Sequence, residues 1–166
     1  MSEQNSSSLN KLQEDHPRRP WDVAGFDAWL AVVRVYRACG AAAAATLEPL
    51  GLSLSQYDIL ANLAREPGLA QGELVERLLV GKSAVSMTLP DLERRGLIFR
   101  EKDATDGRIR RLRLTDEGMA LADRALAEHA GILDTMMAGS PPGEAAQVEA
   151  AMSRIYEALK AARRDG

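Results

Sequence analysis

The sequence is poor in the residues that build disulfides, metal sites and aromatic clusters. It has one cysteine, Cys39, two histidines and 4% aromatic residues in a chain of 166. A single cysteine excludes a disulfide within the chain and a cysteine-rich zinc site, and two separated histidines cannot replace the missing ligands. We therefore expect no metal and no cofactor. A chain of this length can bury a hydrophobic core without them.

The sequence also lacks an uninterrupted apolar run. Its most apolar stretch, residues 28–52, is interrupted by Arg34, Arg37 and Glu48, whereas a membrane-spanning helix needs about 20 mainly apolar residues in succession. The first 20 residues are polar and contain no secretion signal. These patterns predict a cytoplasmic protein with no membrane partner and with residues 1–22 as a flexible polar tail.

Motifs of catalysis are missing as well. The sequence contains no recognisable nucleophile with its base, no paired-carboxylate site and no phosphate-binding glycine loop. We therefore predict that the protein is not an enzyme.

What the sequence does contain is an uneven distribution of charge. Residues 77–113 hold ten basic and five acidic residues, although the whole chain has a net charge of −3. A basic segment attracts phosphate, and an acidic remainder limits non-specific adhesion. Runs of charge are more often only a solvated surface, so the local structure of this segment has to decide between the two interpretations.

The hydrophobic pattern predicts a helix on either side of that segment. Trp29, Val32 and Tyr36 recur at helical spacing within residues 23–49. A second helix is expected to begin at Ser55, with Asp58 as its capping partner. Its expected buried residues are Tyr57, Leu60 and Leu63.

The pattern of the basic segment predicts a helix pair followed by two strands. Residues 71–79 are predicted to form a short helix, and residues 82–95 a second one that ends at Gly96. The expected buried side of the second helix is Val85, Leu89 and Leu92, and its expected free side is Lys82, Ser83, Ser86 and Met87. Pro90 lies inside this helix, so we expect a kink near Ser86 or, alternatively, a segment that is not one helix.

The two strands are predicted over residues 97–102 and 109–114, joined by a turn that contains an Asp-Gly pair. In the second strand Leu112 and Leu114 alternate with Arg111 and Arg113. One side of the strand is therefore expected to pack against the core, and the other to be cationic.

Two C-terminal helices are predicted after the strands. Thr115 caps a helix that runs to about residue 138, and the last helix carries an apolar strip formed by Val148, Met152, Ile155 and Leu159. We expect this strip to pack in a homodimer. The predicted fold is thus mainly α with a small β-wing: a winged helix-turn-helix over residues 53–115, flanked by terminal dimerisation helices over residues 23–52 and 116–166, in one compact domain.

With these motifs in view, the chain resembles the MarR family of bacterial transcriptional regulators over about residues 50–122. The resemblance rests on five motifs in the family order: LGLSLSQYDILANL, ELVERL, SAVSMTLPDLERRGLI, the D-x-R of residues 106–108, and LTDEG. It implies a homodimer that binds double-stranded DNA at a pseudo-palindromic operator. Steric blocking of a promoter needs no further contact, so we expect a repressor.

The resemblance also implies residue roles. Ser83 and Ser86 match residues that meet the major groove, Arg108 matches the wing arginine of the minor groove, and Asp106 matches the residue that pairs with this arginine and stabilises the wing. Lys82 begins the helix and can contact phosphate or guanine. The full predicted DNA-binding set is Lys82, Ser83, Ser86, Met87, Arg108, Arg110 and Arg111.

A small aromatic or phenolic anion is the ligand that the resemblance implies. In the urate-responsive branch of the family, four positions form the ligand site, and Trp29, Asp58 and Arg100 match three of them. The fourth is Met87 instead of arginine, which argues against urate itself. Each residue also has a structural explanation: Trp29 in the core, Asp58 as a helix cap, and Arg100 in the basic surface.

Two alternatives remain at this level. Some relatives sense peroxides through a cysteine of the first helix, so Cys39 is a second candidate for signal sensing, although alanines surround it and no second cysteine can resolve an oxidised form. A winged helix can also bind protein without DNA specificity. The basic wing favours DNA over that function.

Overall fold

The computed structural model describes residues 17–78 and 82–163. The structure is 70% helical and has one small sheet of three short strands. This confirms the predicted mainly α fold with a small β-wing. The elements are α1 (Phe26–Leu47), α2 (Leu54–Arg65), β1 (Leu69–Ala70), α3 (Gln71–Arg77), α4 (Lys82–Arg94), β2 (Ile98–Lys102), β3 (Arg110–Leu114), α5 (Asp116–Met137) and α6 (Glu144–Ala162). Residues 1–16 of the predicted tail lie outside the described residues.

The chain divides into two units, residues 1–39 and residues 40–166, with the boundary inside α1. The described part of the first unit is a short 3-10 turn, Pro20–Asp22, and most of α1. Several of its large apolar side chains are exposed, and among them Trp29 is 56% exposed and Tyr36 76%. Trp29 is therefore not a core residue within this single chain.

The segment Phe26–Leu50 is long and apolar enough to cross a membrane by length and composition. Arg34 and Arg37 lie inside it, and each basic side chain at the centre of a bilayer costs roughly 2.5–3.5 kcal/mol. These two charges count against a membrane span for this helix.

The core lies in the second unit and is built mainly from leucine. Tyr57, Leu60 and Leu63 of α2 are buried, as predicted. Val85, Leu89 and Leu92 of α4 are completely buried as well, because positions three and four residues apart lie on the same side of a helix. Burying this side fixes which residues of α4 face outward.

The start of α2 differs from the prediction. Ser53, not Ser55, is the N-cap, and its hydroxyl accepts a hydrogen bond from the backbone N–H of Gln56. The side chain of Gln56 accepts in return from the backbone N–H of Ser53 at 2.8 Å. The capping box is therefore Ser-x-x-Gln, and the capping role expected for Asp58 was wrong.

Both predicted strands are present within one residue of their expected bounds. They pair in antiparallel register from Ile98 opposite Leu114 to Lys102 opposite Arg110. A two-residue strand, Leu69–Ala70, adds to the other edge of β3 and gives the order β1-β3-β2. Its shortness explains why no alternating pattern predicted it.

A tight junction joins the sheet to α5. Thr115 caps the helix as predicted, and its hydroxyl accepts from the backbone N–H of Gly118 at 3.0 Å. The same hydroxyl donates to the carbonyl of Gly96 at 2.7 Å, and the backbone N–H of Thr115 donates to the carbonyl of Leu97 at 3.1 Å. The turn before β2 and the first turn of α5 are thus held together.

The last helix, α6, has an exposed apolar side. The predicted strip is present and exposed in the single chain, at Val148, Met152, Ile155 and Leu159. Exposed apolar strips of this length mark contact surfaces.

Candidate nucleic-acid interface

The outward side of α4 is exposed along its first two turns. Ser83, Ser86 and Met87 face solvent, and Met87 is 81% exposed. Lys82 begins the helix, and its side chain lies outside the described part of the chain. The helix continues through Pro90, so the segment is one helix. The predicted kink stays a prediction.

The C-terminal half of α4 is attached to α2 through Asp91. The side-chain amide of Gln56 donates to Asp91 at 2.7 Å, and Arg94 and Arg95 form ion pairs with the same carboxylate. Gln56 therefore caps α2 and fixes the orientation of α4 at once. The sequence signal for the capping role of Gln56 is the Ser-x-x-Gln spacing from Ser53 to Gln56. The prediction that the helix begins at Ser55 missed it.

Four polar side chains form a connected series of hydrogen bonds that begins and ends on α4 and passes through β2 and α3. We call this series the polar chain; its members, in order, are Glu93, Arg100, Gln71 and Ser86. Arg100 pairs with Glu93 at 2.7 Å and donates to the side-chain oxygen of Gln71 at 3.3 Å. The side-chain amide of Gln71 donates to the hydroxyl of Ser86 at 3.2 Å. The wing strand and the exposed helix side are thus connected through the first residue of α3.

The wing turn is organised by Asp103, which sequence reasoning missed. One carboxylate oxygen accepts hydrogen bonds from the hydroxyl of Thr105 at 2.6 Å, from its backbone N–H at 2.8 Å and from the backbone N–H of Asp106 at 2.9 Å. The other accepts from Arg111 at 2.7 Å. Together these bonds, that of the Thr105 hydroxyl foremost, hold the pKa of Asp103 well below its usual range.

Asp106, the residue predicted to stabilise the wing, contributes to the same turn by a different contact. Its side chain accepts from the backbone N–H of Arg108 at 2.9 Å. The expected partner was the guanidinium of Arg108. The two aspartates therefore shape the backbone of the turn and leave that guanidinium free of an ion pair within the described residues. An Asx-type pattern, Asp-x-Thr, was the available signal for Asp103.

The second strand is less cationic than its sequence indicated. Arg111 pairs with Asp103 and, at 2.9 Å, with Glu73 of α3, and these acidic partners raise the pKa of its guanidinium. Arg113 pairs with Glu101 across the strands. Both guanidinium groups therefore have acidic partners at a partly exposed surface, and a DNA contact by Arg111 stays a prediction.

The unneutralised charges lie at the tip of the wing. Arg108 and Arg110 are exposed and form no ion pair within residues 17–78 and 82–163. Lys102 lies directly opposite Arg110 in the strand register and is also exposed. Like charges directly opposite each other destabilise a strand pair. A polyanion placed against the tip relieves that repulsion.

The three residues predicted to bind a ligand have different surroundings. Trp29, in the first unit, stacks on Phe26 with ring centroids 5.5 Å apart. Asp58, in the second, is half-buried, and burial raises the pKa of its carboxyl while nearby His129 opposes that rise. Arg100 belongs to the polar chain. Their ligand role stays a prediction.

Cys39 is half-buried within α1. The ring of His129 lies against that of Tyr57, with centroids 5.0 Å apart and the ring planes tilted by 38°. Among the described residues, no group of three His, Cys, Asp or Glu side chains is arranged to hold a metal ion.

Comparison with known proteins places the winged region in a family. Residues 50–109 match the sequence profile described as the MarR family. A curated relative described as an HTH-type transcriptional repressor, from Mycobacterium tuberculosis, is 38% identical over 81 residues, which cover 49% of this chain and 58% of the repressor. The chain thus spans less than two thirds of that relative's length.

Solved structures extend the similarity to most of the chain. A MarR family transcriptional regulator from Silicibacter pomeroyi is 28% identical, with a TM-score of 0.66 over 82% of this chain and 90% of its own. The PcaV transcriptional regulator from Streptomyces coelicolor, solved in complex with its natural ligand, is 26% identical, with a TM-score of 0.66 over 87% of this chain and 99% of its own.

Proposed function

Because this chain belongs to the MarR family, we propose that it is a transcriptional regulator that binds double-stranded DNA as a homodimer in the cytoplasm. The proposal gives the protein a binding function and no catalytic one. Since the curated relative from Mycobacterium tuberculosis is described as a repressor, repression is the proposed direction of control.

One observation carries this proposal. The wing ends in Lys102, Arg108 and Arg110, three exposed cations without an internal ion pair in the described structure, while the other arginines of β3 are neutralised. Placing Lys102 directly opposite Arg110 destabilises the strand pair. Solubility alone does not explain this arrangement, because it does not require two like charges to lie opposite each other. Phosphate contacts supply most of the affinity of DNA-binding proteins, and they account for this concentration of charge.

Each exposed group has a proposed contact. The outward side of α4, with Ser83, Ser86 and Met87, enters the major groove, which is about 12 Å wide and admits a helix. Lys82, the first residue of α4, is proposed to contact DNA at the same place. The wing tip reaches the minor groove with Arg108, where a narrow A·T-rich groove attracts arginine most strongly. Arg110 contacts phosphate. Arg111 acts inside the wing, because its guanidinium is already bound by two carboxylates.

The homodimer is proposed from the exposed apolar residues of the terminal helices. Two such surfaces exist, one on α1 with Trp29, Val32 and Tyr36, and one on α6 with Ile155 and Leu159. Isolated monomers rarely leave several apolar strips in water. A second copy covers them and places two winged helices on half-sites about 34 Å apart.

A small aromatic or phenolic anion is the proposed effector. Support comes from the match of Trp29, Asp58 and Arg100 to ligand positions of the family, and from the PcaV structure, which holds a natural ligand. Redox sensing through Cys39 is the competing route for a signal. Adding aromatic acids, urate or an organic peroxide to the DNA-bound protein separates the two.

The first test is selection of DNA. Purified protein is incubated with a random double-stranded library, the bound DNA is sequenced, and affinity for the enriched site is measured by fluorescence anisotropy at several salt concentrations. We expect a pseudo-palindrome and a steep salt dependence, because each neutralised phosphate adds about 0.9 to the magnitude of the log-log slope. No enrichment together with a flat salt response assigns the winged helix to protein binding instead.

Arg108→Ala is expected to weaken binding to the selected site about tenfold, or roughly 1.4 kcal/mol, and to relax the preference for A·T pairs beneath the wing. The physical reason is the loss of a cation from the narrow groove. The salt slope should fall by about one unit. Affinity and slope are measured by the same anisotropy titration.

Arg65→Ala is the matched control, since it removes an exposed arginine from the end of α2 and leaves the wing intact. It should retain the affinity and the A·T preference of the wild type. If Arg108→Ala binds as tightly as this control, Arg108 has no place in the interface.

A further inference from the structure

The hydrogen bonds of the polar chain have a defined donor-to-acceptor direction, which Arg100 imposes. Arginine has five N–H donors and no acceptor. Arg100 is oriented by Glu93, to which it donates from two nitrogens, at 2.7 Å and 3.4 Å. The side-chain group of Gln71 at 3.3 Å from Arg100 therefore has to be its oxygen.

This fixes the orientation of the Gln71 amide. With its oxygen toward Arg100, the NH2 group points to Ser86 and donates to the hydroxyl oxygen at 3.2 Å. The hydroxyl thereby accepts one hydrogen bond from within the protein, while its own proton has no acceptor among its contacts in the described residues. Because Ser86 is exposed on the outward side of α4, that proton is available to a ligand placed against the helix.

We propose that Gln71 is a specificity-determining positioning residue that sets Ser86 as a hydrogen-bond donor to a base edge in the major groove. The proposal rests on the DNA-binding function inferred above and deepens it. Gln71 acts through Ser86 and needs no contact with DNA itself. Glu93 and Arg100, which are distant in sequence from Gln71, keep the amide in the required orientation.

The chemistry of the groove turns this direction into a base preference. Guanine and adenine present N7 as an acceptor there, guanine adds O6, and thymine presents O4, whereas cytosine presents only its N4 amino group, a donor. The Ser86 oxygen keeps a second lone pair, but because Gln71 already donates to the first, donation is the favoured role of its exposed side. Ser86 therefore favours guanine, adenine and thymine over cytosine on the strand it contacts, and one orientation of the G·C pair is disfavoured at that position of each half-site.

The test compares base preferences selected from a random double-stranded DNA library. The position read by Ser86 is the one where wild type and Ser86→Ala differ. At that position the wild type should deplete cytosine about threefold to tenfold, the range of one hydrogen bond between neutral groups, and Ser86→Ala should not.

Gln71→Glu then reverses the hydrogen bond between residue 71 and Ser86 within the polar chain. The introduced carboxylate accepts from both Arg100 and the Ser86 hydroxyl, so the serine presents lone pairs to the groove and its preference shifts toward a base with an amino group, cytosine included. A carboxylate in the first turn of α3 also suits the helix dipole, which preserves the fold. Gln71→Met, which adds no charge, should abolish cytosine rejection without reversing it.

The control is Gln71→Glu in the Ser86→Ala background, which should leave base preference at that position unchanged. The proposal is overturned if Gln71→Glu and Gln71→Met keep the cytosine rejection of the wild type, or if Ser86→Ala alters no base preference, as a phosphate contact would give. Failure of the wild type to enrich any sequence contradicts DNA binding itself and is thereby distinguished from failure at Gln71.

Discussion

Gly118→Ala is expected to destabilise the protein by about 3 kcal/mol or more. A Cβ atom at this position meets the carbonyl oxygen of Leu97 at 1.9 Å, so the backbone has to move. Movement breaks the junction in which Thr115 bonds to Leu97 and caps Gly118. We expect the melting temperature to fall by roughly 6–12 °C. The glycine of the LTDEG motif is thus required by close backbone packing.

Gly72→Ala is the matched control for this substitution. Gly72 lies in the first turn of a helix, and a Cβ added there meets no atom within 4 Å. Alanine at that position should stabilise the helix by about 0.5–1 kcal/mol. Urea unfolding of both variants measures the difference. Equal midpoints for Gly118→Ala and the wild type mean that the junction relaxes without cost and that the close approach carries no energetic weight.

Asp103→Ala is expected to lower affinity for the selected DNA site at least tenfold, which is about 1.4 kcal/mol. The substitution removes three hydrogen bonds that shape the wing turn and a fourth that is also the ion pair with Arg111. Hydrogen exchange of residues 98–114 should accelerate, while the helices of the second unit keep their protection. Anisotropy and exchange measurements follow the two effects separately.

The sign of this result separates geometry from charge. Removing an acidic residue beside DNA strengthens binding if only net charge matters, so weaker binding requires loss of wing structure. Glu76→Ala removes an exposed carboxylate from α3 and serves as the charge control, with unchanged or slightly stronger binding expected. Stronger binding by Asp103→Ala contradicts a structural role for Asp103.

The lowered pKa of Asp103 adds a dependence on pH. A carboxyl whose pKa is lower in the folded state stabilises the fold above its unfolded pKa of about 3.9, and the contribution is lost as pH falls through the folded pKa. Wing protection in the wild type should therefore be constant near neutral pH and decline only in acid. Asp103→Asn should lose this acid dependence.

The sequence by itself determined the order of the elements and most of their bounds. Helical spacing placed Leu89 and Leu92 in the core, and alternation located both long strands, because these signals are local and repeat within a few residues. Gly96 and Thr115 marked helix ends through backbone conformation and capping, which are also local. Five ordered motifs were sufficient to identify the family.

Tertiary structure alone decided which charges are available. The alternation in β3 predicts Arg111 as a surface cation, but Glu73, far earlier in the chain, pairs with it in the folded state. The orientation of the Ser86 hydroxyl depends on Arg100 and Gln71, which also meet only in the folded state. The second role of Gln56, which caps α2 locally and also donates to distant Asp91, is likewise visible only in the folded chain. Periodicity reports which side of an element is buried, whereas the partner of a polar side chain is fixed by contacts between segments that the sequence keeps apart.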